Sequence, residues 1–242
     1  MKRSPKTLLT LLLASCILWS CGRRNGESGD EQKEYEKPGS PFTYEEGDTL
    51  RAGVHPPLNL QAWFAHYARM DSAFSNAGFR ASGVRIHIDS FETVNSPVTA
   101  QTTQIAPLLS PSPDSTQLLD IWSYNRLVET DSRGRKAVVG GGPDQQVIWI
   151  DTRSGKRRQI LFNGSNQAVE TADWLDDRSF VLGMMNIDEP LGQWTPEILL
   201  FNLDDSAYTN FRYPKPLAID SLPRAGRDFI TTWLESRQFR RE

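Results

Sequence analysis

The sequence predicts a mainly β protein of antiparallel sheets, flanked by an N-terminal and a C-terminal helix. Three observations predict it. Short apolar segments recur between residues 105 and 213, separated by tight turns rich in Asp and Asn. Two other stretches, 58–79 and 222–240, repeat their large apolar residues at intervals of three and four. Both cysteines, Cys16 and Cys21, fall in the N-terminal region, so everything beyond them must be held by an ordinary hydrophobic core.

The first element is an export signal over residues 1–20. Lys2, Arg3 and Lys6 supply a basic start, and Thr7 to Trp19 is apolar apart from Thr and Ser. That run is too short for a spanning helix, which needs roughly 20 apolar residues. Leu18-Trp19-Ser20-Cys21 closes it and resembles the lipobox of bacterial lipoproteins, in which the cysteine takes a diacylglycerol and becomes the mature N-terminus. Cys21 is the expected lipidation site. Cys16, in Leu13-Ala14-Ser15-Cys16, is the alternative, since Trp19 is an unusual lipobox residue. Cleavage at Cys21 leaves the solvated start Gly22-Arg23-Arg24-Asn25, whereas cleavage at Cys16 leaves Ile17-Leu18-Trp19 exposed. A signal cleaved without lipid addition is the other reading. The resemblance implies attachment to the cell membrane or outer membrane, facing periplasm or surface.

Residues 21–50 are rich in Gly, Glu, Lys, Ser and Pro and read as a flexible tether. Such a chain lets a domain range about 30 Å from its anchor. Residues 51–242 are expected to form one globular domain, in three parts: 51–104, 105–213 and 214–242.

Within that domain Leu60, Trp63, Phe64, Tyr67, Met70 and Phe74 form one helical stripe, with Asn59 as N-cap and Gly78 as the stop. His66 lies off the stripe and is expected on the surface. Val84 to Asp89 alternates apolar and polar residues, as in a half-buried strand. Eight further strands follow in two runs. The first comprises 105–109, 117–122, 146–150 and 158–162. The second comprises 168–174, 179–184, 197–201 and 208–213. The tail from Leu222 to Arg240 is expected to be a helix entered at Pro223, with Phe229, Ile230, Trp233 and Leu234 inward.

The first run carries Ser112-Pro113-Asp114, then Ile148-Trp149-Ile150-Asp151 and Gly155-Lys156. These motifs resemble the blades of TolB-type β-propellers. The resemblance implies two four-stranded, propeller-blade-like units. Ser115 stands where that family has Gly, the second run lacks both the proline and Gly-Lys, and two blades cannot close a ring.

Removing the signal leaves 24 basic against 30 acidic residues, a net charge near −6, which argues against nucleic acid. No thiol remains, and no Gly-x-Ser-x-Gly elbow is present. His55, His66 and His87 carry no metal-ligand spacing. His87-x-Asp89 reads as the wet face of a strand, and Asp176-Asp177 and Asp204-Asp205 as hairpin turns. No catalytic residue, metal site or cofactor is expected. Five Asp-Ser or Asp-Thr turns are similar to an O-glycosylation sequon of exported bacterial proteins, though turn chemistry alone favours the same dipeptides. Trp194, in the loop Pro190 to Thr195, is the candidate binding residue, either as an exposed anchor or folded back as a core plug.

These readings lead to a non-enzymatic envelope lipoprotein. Its partners would be the membrane, through the N-terminal lipid, and another envelope protein docked around Trp194. A surface lipoprotein that binds a glycan or small ligand is the alternative, and a hydrolase the lesser one. A ring-sized groove lined by Trp and a carboxylate would favour the ligand-binding alternative.

Overall fold

A computed structural model describes residues 43–50, 58–87, 92–93, 104–124, 126–140, 142, 144–188, 190–218 and 229–241. The signal, Cys16, Cys21, most of the tether, His55 and Asp89 lie outside the described residues. The chain divides at Pro41/Phe42, and the described residues all belong to the second unit.

That unit is mainly β, with antiparallel sheets and, among the described residues, two α-helices. Helix α1 is Leu58–Tyr67 and helix α2 is Phe229–Ser236. The central sheet has six strands: β1 (Arg80–His87), β9 (Gln167–Trp174), β10 (Ser179–Asp188), β11 (Gln193–Asn202), β12 (Ala207–Arg212) and β13 (Leu217–Ala218). Its order is β1-β12-β11-β10-β9, with β13 paired to β11. A five-stranded sheet runs β2-β8-β7-β4-β3, from β2 (Glu92–Thr93), β8 (Arg157–Asn163), β7 (Gln145–Asp151), β4 (Gln117–Asp120) and β3 (Ser110–Pro111). A three-stranded sheet joins β5 (Arg126–Thr130), β6 (Lys136–Gly140) and β14 (Phe239–Arg241), with β14 parallel to β6.

The central sheet is buried on both faces, and the sequence of its middle strands follows from that. Phe180 to Met185 and Ile198 to Phe201 are near-continuous apolar runs rather than alternating ones. Val181 and Met185 meet Trp63, Tyr67 and the rest of the α1 cluster. Phe180, Leu182 and Met184 meet residues of the other two sheets, including Leu119, Val147 and Val138. Gly183 stands on the α1 face between Val181 and Met185, and its bare Cα lets Trp63 lie against β10. A Cβ there would stand 2.6 Å from the Thr171 methyl and 3.3 Å from the Trp63 ring.

The expected pair of four-stranded units is corrected by this topology. The second run does form the meander β9 to β12, but β1 extends it beyond β12 and β13 adds to β11. Of the first run β4, β7 and β8 form, the short strand β3 takes the place of the expected 105–109, and β2 extends the sheet. A hairpin absent from the sequence reading, β5–β6, builds the third sheet with the C-terminal strand. The sheets do not close a propeller: α1 packs across one face of the central sheet, where a propeller would continue with another blade. The corresponding turns of the two runs nonetheless touch. Asp177 accepts the Asp114 N–H at 2.9 Å, and its carbonyl accepts Gln117 Nε2 at 2.6 Å.

Other departures have local causes. Ile105 to Leu109 is not a strand but a helical turn through Ala106–Leu108, with Pro107 at its start. Helix α1 ends at Tyr67, not Phe79, because Asp71 takes the Ala73 N–H and is itself held by Lys215 at 3.0 Å. His66 is buried, with Tyr67 and Phe229 edge-on to its ring. The tail turns at Arg237–Gln238, Gln238 taking a φ of 65°, and returns as β14. Packed chain begins before the expected end of the tether. Tyr44 is buried edge-on to Phe211, and Thr49 bridges Arg80.

Gly183→Ala is expected to lower stability by about 1–3 kcal/mol through overpacking, measured as a lower urea midpoint. Thr171→Ser in the same chain removes the clashing methyl and should recover part of that loss.

Candidate functional site

Strand β9 is an edge strand, and its backbone and side chains are taken up from three directions. The Gln145 amide plays the part of a neighbouring strand: Oε1 accepts the Val169 N–H at 2.7 Å and Nε2 donates to the Val169 carbonyl at 2.9 Å. The Trp174 indole donates to the Ser110 carbonyl at 2.9 Å. The remaining cover is α1, and it is held by two buried acids.

Asp173 caps α1 from 113 residues away. Its Oδ2 accepts the Leu60 N–H and its Oδ1 the Asn59 amide, both at 2.7 Å. One of the helix's unpaired N–H groups is thereby satisfied. Glu170 takes the next turns, accepting from Trp63 Nε1 at 2.7 Å and from the Tyr67 hydroxyl at 2.7 and 3.0 Å. The strand bulges between the partners of Gly183 and Met184, so that Glu170 is the extra residue between Val169 and Thr171. Asn59, expected to be the cap, instead relays the contact to α2: its Oδ1 accepts Trp233 Nε1 at 3.1 Å and Arg237 Nη2 at 3.3 Å.

A cavity of about 600 Å³ opens where these elements meet. Its floor holds Leu119, Ile121, Trp122 and Ala172, all buried. Leu58 and Arg237, both exposed, stand at its mouth together with Pro111 and Pro113. The Trp122 and Trp233 rings stack with centroids 5.1 Å apart and planes 5° from parallel. Arg126 lies over Trp122 and Arg237 over Trp233, at 5.1 and 4.5 Å from the ring centroids. Thr171, 3% exposed, also lines the cavity, and its hydroxyl has no partner among the described residues.

Burial pushes the Asp173 carboxyl up to about 6, against the opposing pull of its N–H donors and the Arg237 charge. The acid pairs of the sequence are turn residues as expected. Asp176 accepts the Arg178 N–H, and Asp204 pairs with the Arg178 guanidinium. Asp114 accepts Thr116 N–H and the Ser112 hydroxyl, which hold its carboxyl down at about 2.

Trp194 is not in a loop. It lies in β11, opposite Ile187 and Leu217, half-buried against the α1 cluster, with its indole N–H buried and without an acceptor among the described residues. The cavity does not include it. The residues that build the cavity drew no functional reading from sequence, because Asp173 and Glu170 sit in an otherwise apolar strand segment and their partners are more than 100 residues away. Two acids in Val169-Glu170-Thr171-Ala172-Asp173-Trp174, a segment patterned for burial, were the available signal. Among the described residues no group of three or more His, Cys, Asp or Glu could hold a metal.

The raised Asp173 pKa sets a pH dependence. The native carboxyl keeps its proton to about pH 6, while the unfolded one releases it near 3.8. The extra stability is therefore complete below about pH 4 and lost as pH rises to about 6, amounting to roughly 3 kcal/mol at most. Asp114 and Asp71, held low, act oppositely: their contribution is lost as pH falls below the usual carboxylate range. Urea midpoints at pH 4.5 and 7 should differ less in Asp173→Asn than in the parent. No protein-family model, curated protein or solved structure matches this chain, so the functional reading rests on its own residues and this cavity.

Proposed function

We propose that the chain is a lipid-anchored envelope protein whose folded domain binds a small ligand without transforming it. The observation that carries the reading is the cavity at β9, walled by Trp122, Trp174 and Trp233, with Asp173 at its edge. A preformed cavity of this size, with aliphatic and indole surface beside a set of polar groups, falls in the range of small-molecule sites. A single-domain reading suits it, since the cavity needs α1, α2 and the edges of both larger sheets to be complete.

Non-enzymatic binding is supported by what the acids do. Both Asp173 oxygens and both Glu170 oxygens are engaged by N–H or O–H donors of α1. The two acids also share one strand rather than facing each other across a cleft, as glycosidase pairs do. Anchorage rests on the lipobox at Cys21, or Cys16, and no helix among the described residues is long and apolar enough to cross a membrane. Docking of another envelope protein around Trp194 is the second reading. The observation favouring it is Leu191, 65% exposed at the tip of the β10–β11 hairpin.

Two outcomes are expected. In a bacterial host fed an alkyne fatty acid, the protein should become labelled, and Cys21→Ala should abolish the label; loss on Cys16→Ala instead moves the anchor. N-phenyl-1-naphthylamine should brighten on binding the unlabelled domain, and Ala172→Trp, which fills the floor, should remove the signal. No brightening in the parent would count against a binding cavity.

A further inference from the structure

We infer that the cavity takes a single-chain aliphatic carboxylate, a fatty acid, with its tail on the floor and its head at Arg237. The inference rests on the small-ligand reading above and names the class of ligand.

Stacking ligands are disfavoured by how the indoles are used. Trp122 and Trp233 occupy each other's inner faces, and a guanidinium lies over each ring. Trp174 is edge-on to Phe180 and donates its N–H to Ser110. A sugar ring or a nucleobase needs an open aromatic face, and in this column the stacking partners are already present. What the indoles offer a ligand is edge, alongside the aliphatic surface of Leu119, Ile121 and Ala172. Flexible chains suit such walls because dispersion and burial need no particular ring geometry.

The mouth adds two features. Leu58 is 83% exposed there, an aliphatic side chain left largely uncovered by the described residues. Arg237 is exposed beside it and donates only to neutral oxygens, those of Pro107 and Asn59, each at 3.3 Å. No carboxylate lies within 4.0 Å of its guanidinium among the described residues, so its charge is available to a carboxylate head. The competing negative charge, Asp173, is 6% exposed and turned into the α1 N-terminus.

The test uses the full chain carrying Cys16→Ser and Cys21→Ser, which cannot be acylated, titrated calorimetrically with octanoate, decanoate and dodecanoate below their micelle concentrations. Affinity is expected to rise roughly fifteenfold for each two methylenes added, until the floor is filled. Dodecanol should bind at least tenfold more weakly than dodecanoate. Arg237→Gln should erase that difference, and Arg237→Lys should keep most of it. Equal binding of the acid and the alcohol by the parent would overturn the assignment of the head to Arg237. Binding of methyl glucoside or indole without dodecanoate would overturn the ligand class and leave the cavity reading standing. No binding by any of these probes, together with no brightening of the naphthylamine dye, would overturn both.

Discussion

Two carboxylates on one edge strand hold the N-terminal helix, and much of the architecture follows from where they sit. Glu170 and Asp173 are 3% and 6% exposed, positions at which an acid without partners is very costly. Each is met by donors from α1: a backbone N–H and an amide for Asp173, an indole and a phenol for Glu170. Hydrogen bonds to a charged acceptor contribute about 1.5–3 kcal/mol apiece, which offsets much of the burial cost. The same bonds cover the edge of the central sheet, which would otherwise present unpaired backbone to a second chain.

The geometry of the match is simple. From Leu60 to Tyr67 the helix advances seven residues, about 10 Å at 1.5 Å each. From Asp173 back to Glu170 the strand covers three residues, again about 10 Å at 3.3 Å each. The donors of α1 and the acids of β9 are therefore in step. Asn59 extends the match to the other end of the chain, since its carbonyl oxygen receives Trp233 and Arg237 of the C-terminal segment. Three segments far apart in sequence are tied at one point. The cavity is the space their backbones leave around it.

Legibility from sequence divided along the same line. Elements specified by near neighbours were readable. Asp114, Asp151 and Asn202 each bond turn N–H groups two or three residues on, so the hairpins they close were visible. The doubly buried runs of β10 and β11 also declared themselves, though their full length of ten residues did not, because Thr195, Pro196 and Asn186 look like loop chemistry. The β5–β6 hairpin was overlooked: Leu127 is 50% exposed and only Val128, Ala137 and Val138 face inward, so its apolar signal is thin. His66 went astray because α2, which supplies Phe229 over its ring, is invisible from α1's own periodicity. The C-terminal helix was overextended because Phe239 continues its apolar rhythm while actually reaching the core from β14. The site was least legible of all: every bond by which Asp173, Glu170 and Asn59 tie α1 to β9 and to the C-terminal segment spans more than 100 residues.

Why acids should do this work at all is a question of register. An apolar helix face lying on an apolar sheet can slide or rotate by one turn with only modest loss of buried area, since Leu, Phe and Met pack tolerably in several arrangements. With Glu170 and Asp173 beneath it, a one-turn shift would carry Trp63 and Tyr67 off Glu170 and the helix N-terminus off Asp173. Leaving a buried charge unpaired costs about 3–5 kcal/mol, far more than the packing difference. The acids therefore select one placement of α1 out of several that hydrophobicity alone would permit. That placement fixes Asn59, and through Asn59 it fixes Trp233 and Arg237. Net stability gains little from such groups, because burial raises Asp173 and works against its charge at neutral pH. What the arrangement secures is that Leu58 and Arg237, carried by opposite ends of the domain's sequence, stand together at one cavity mouth.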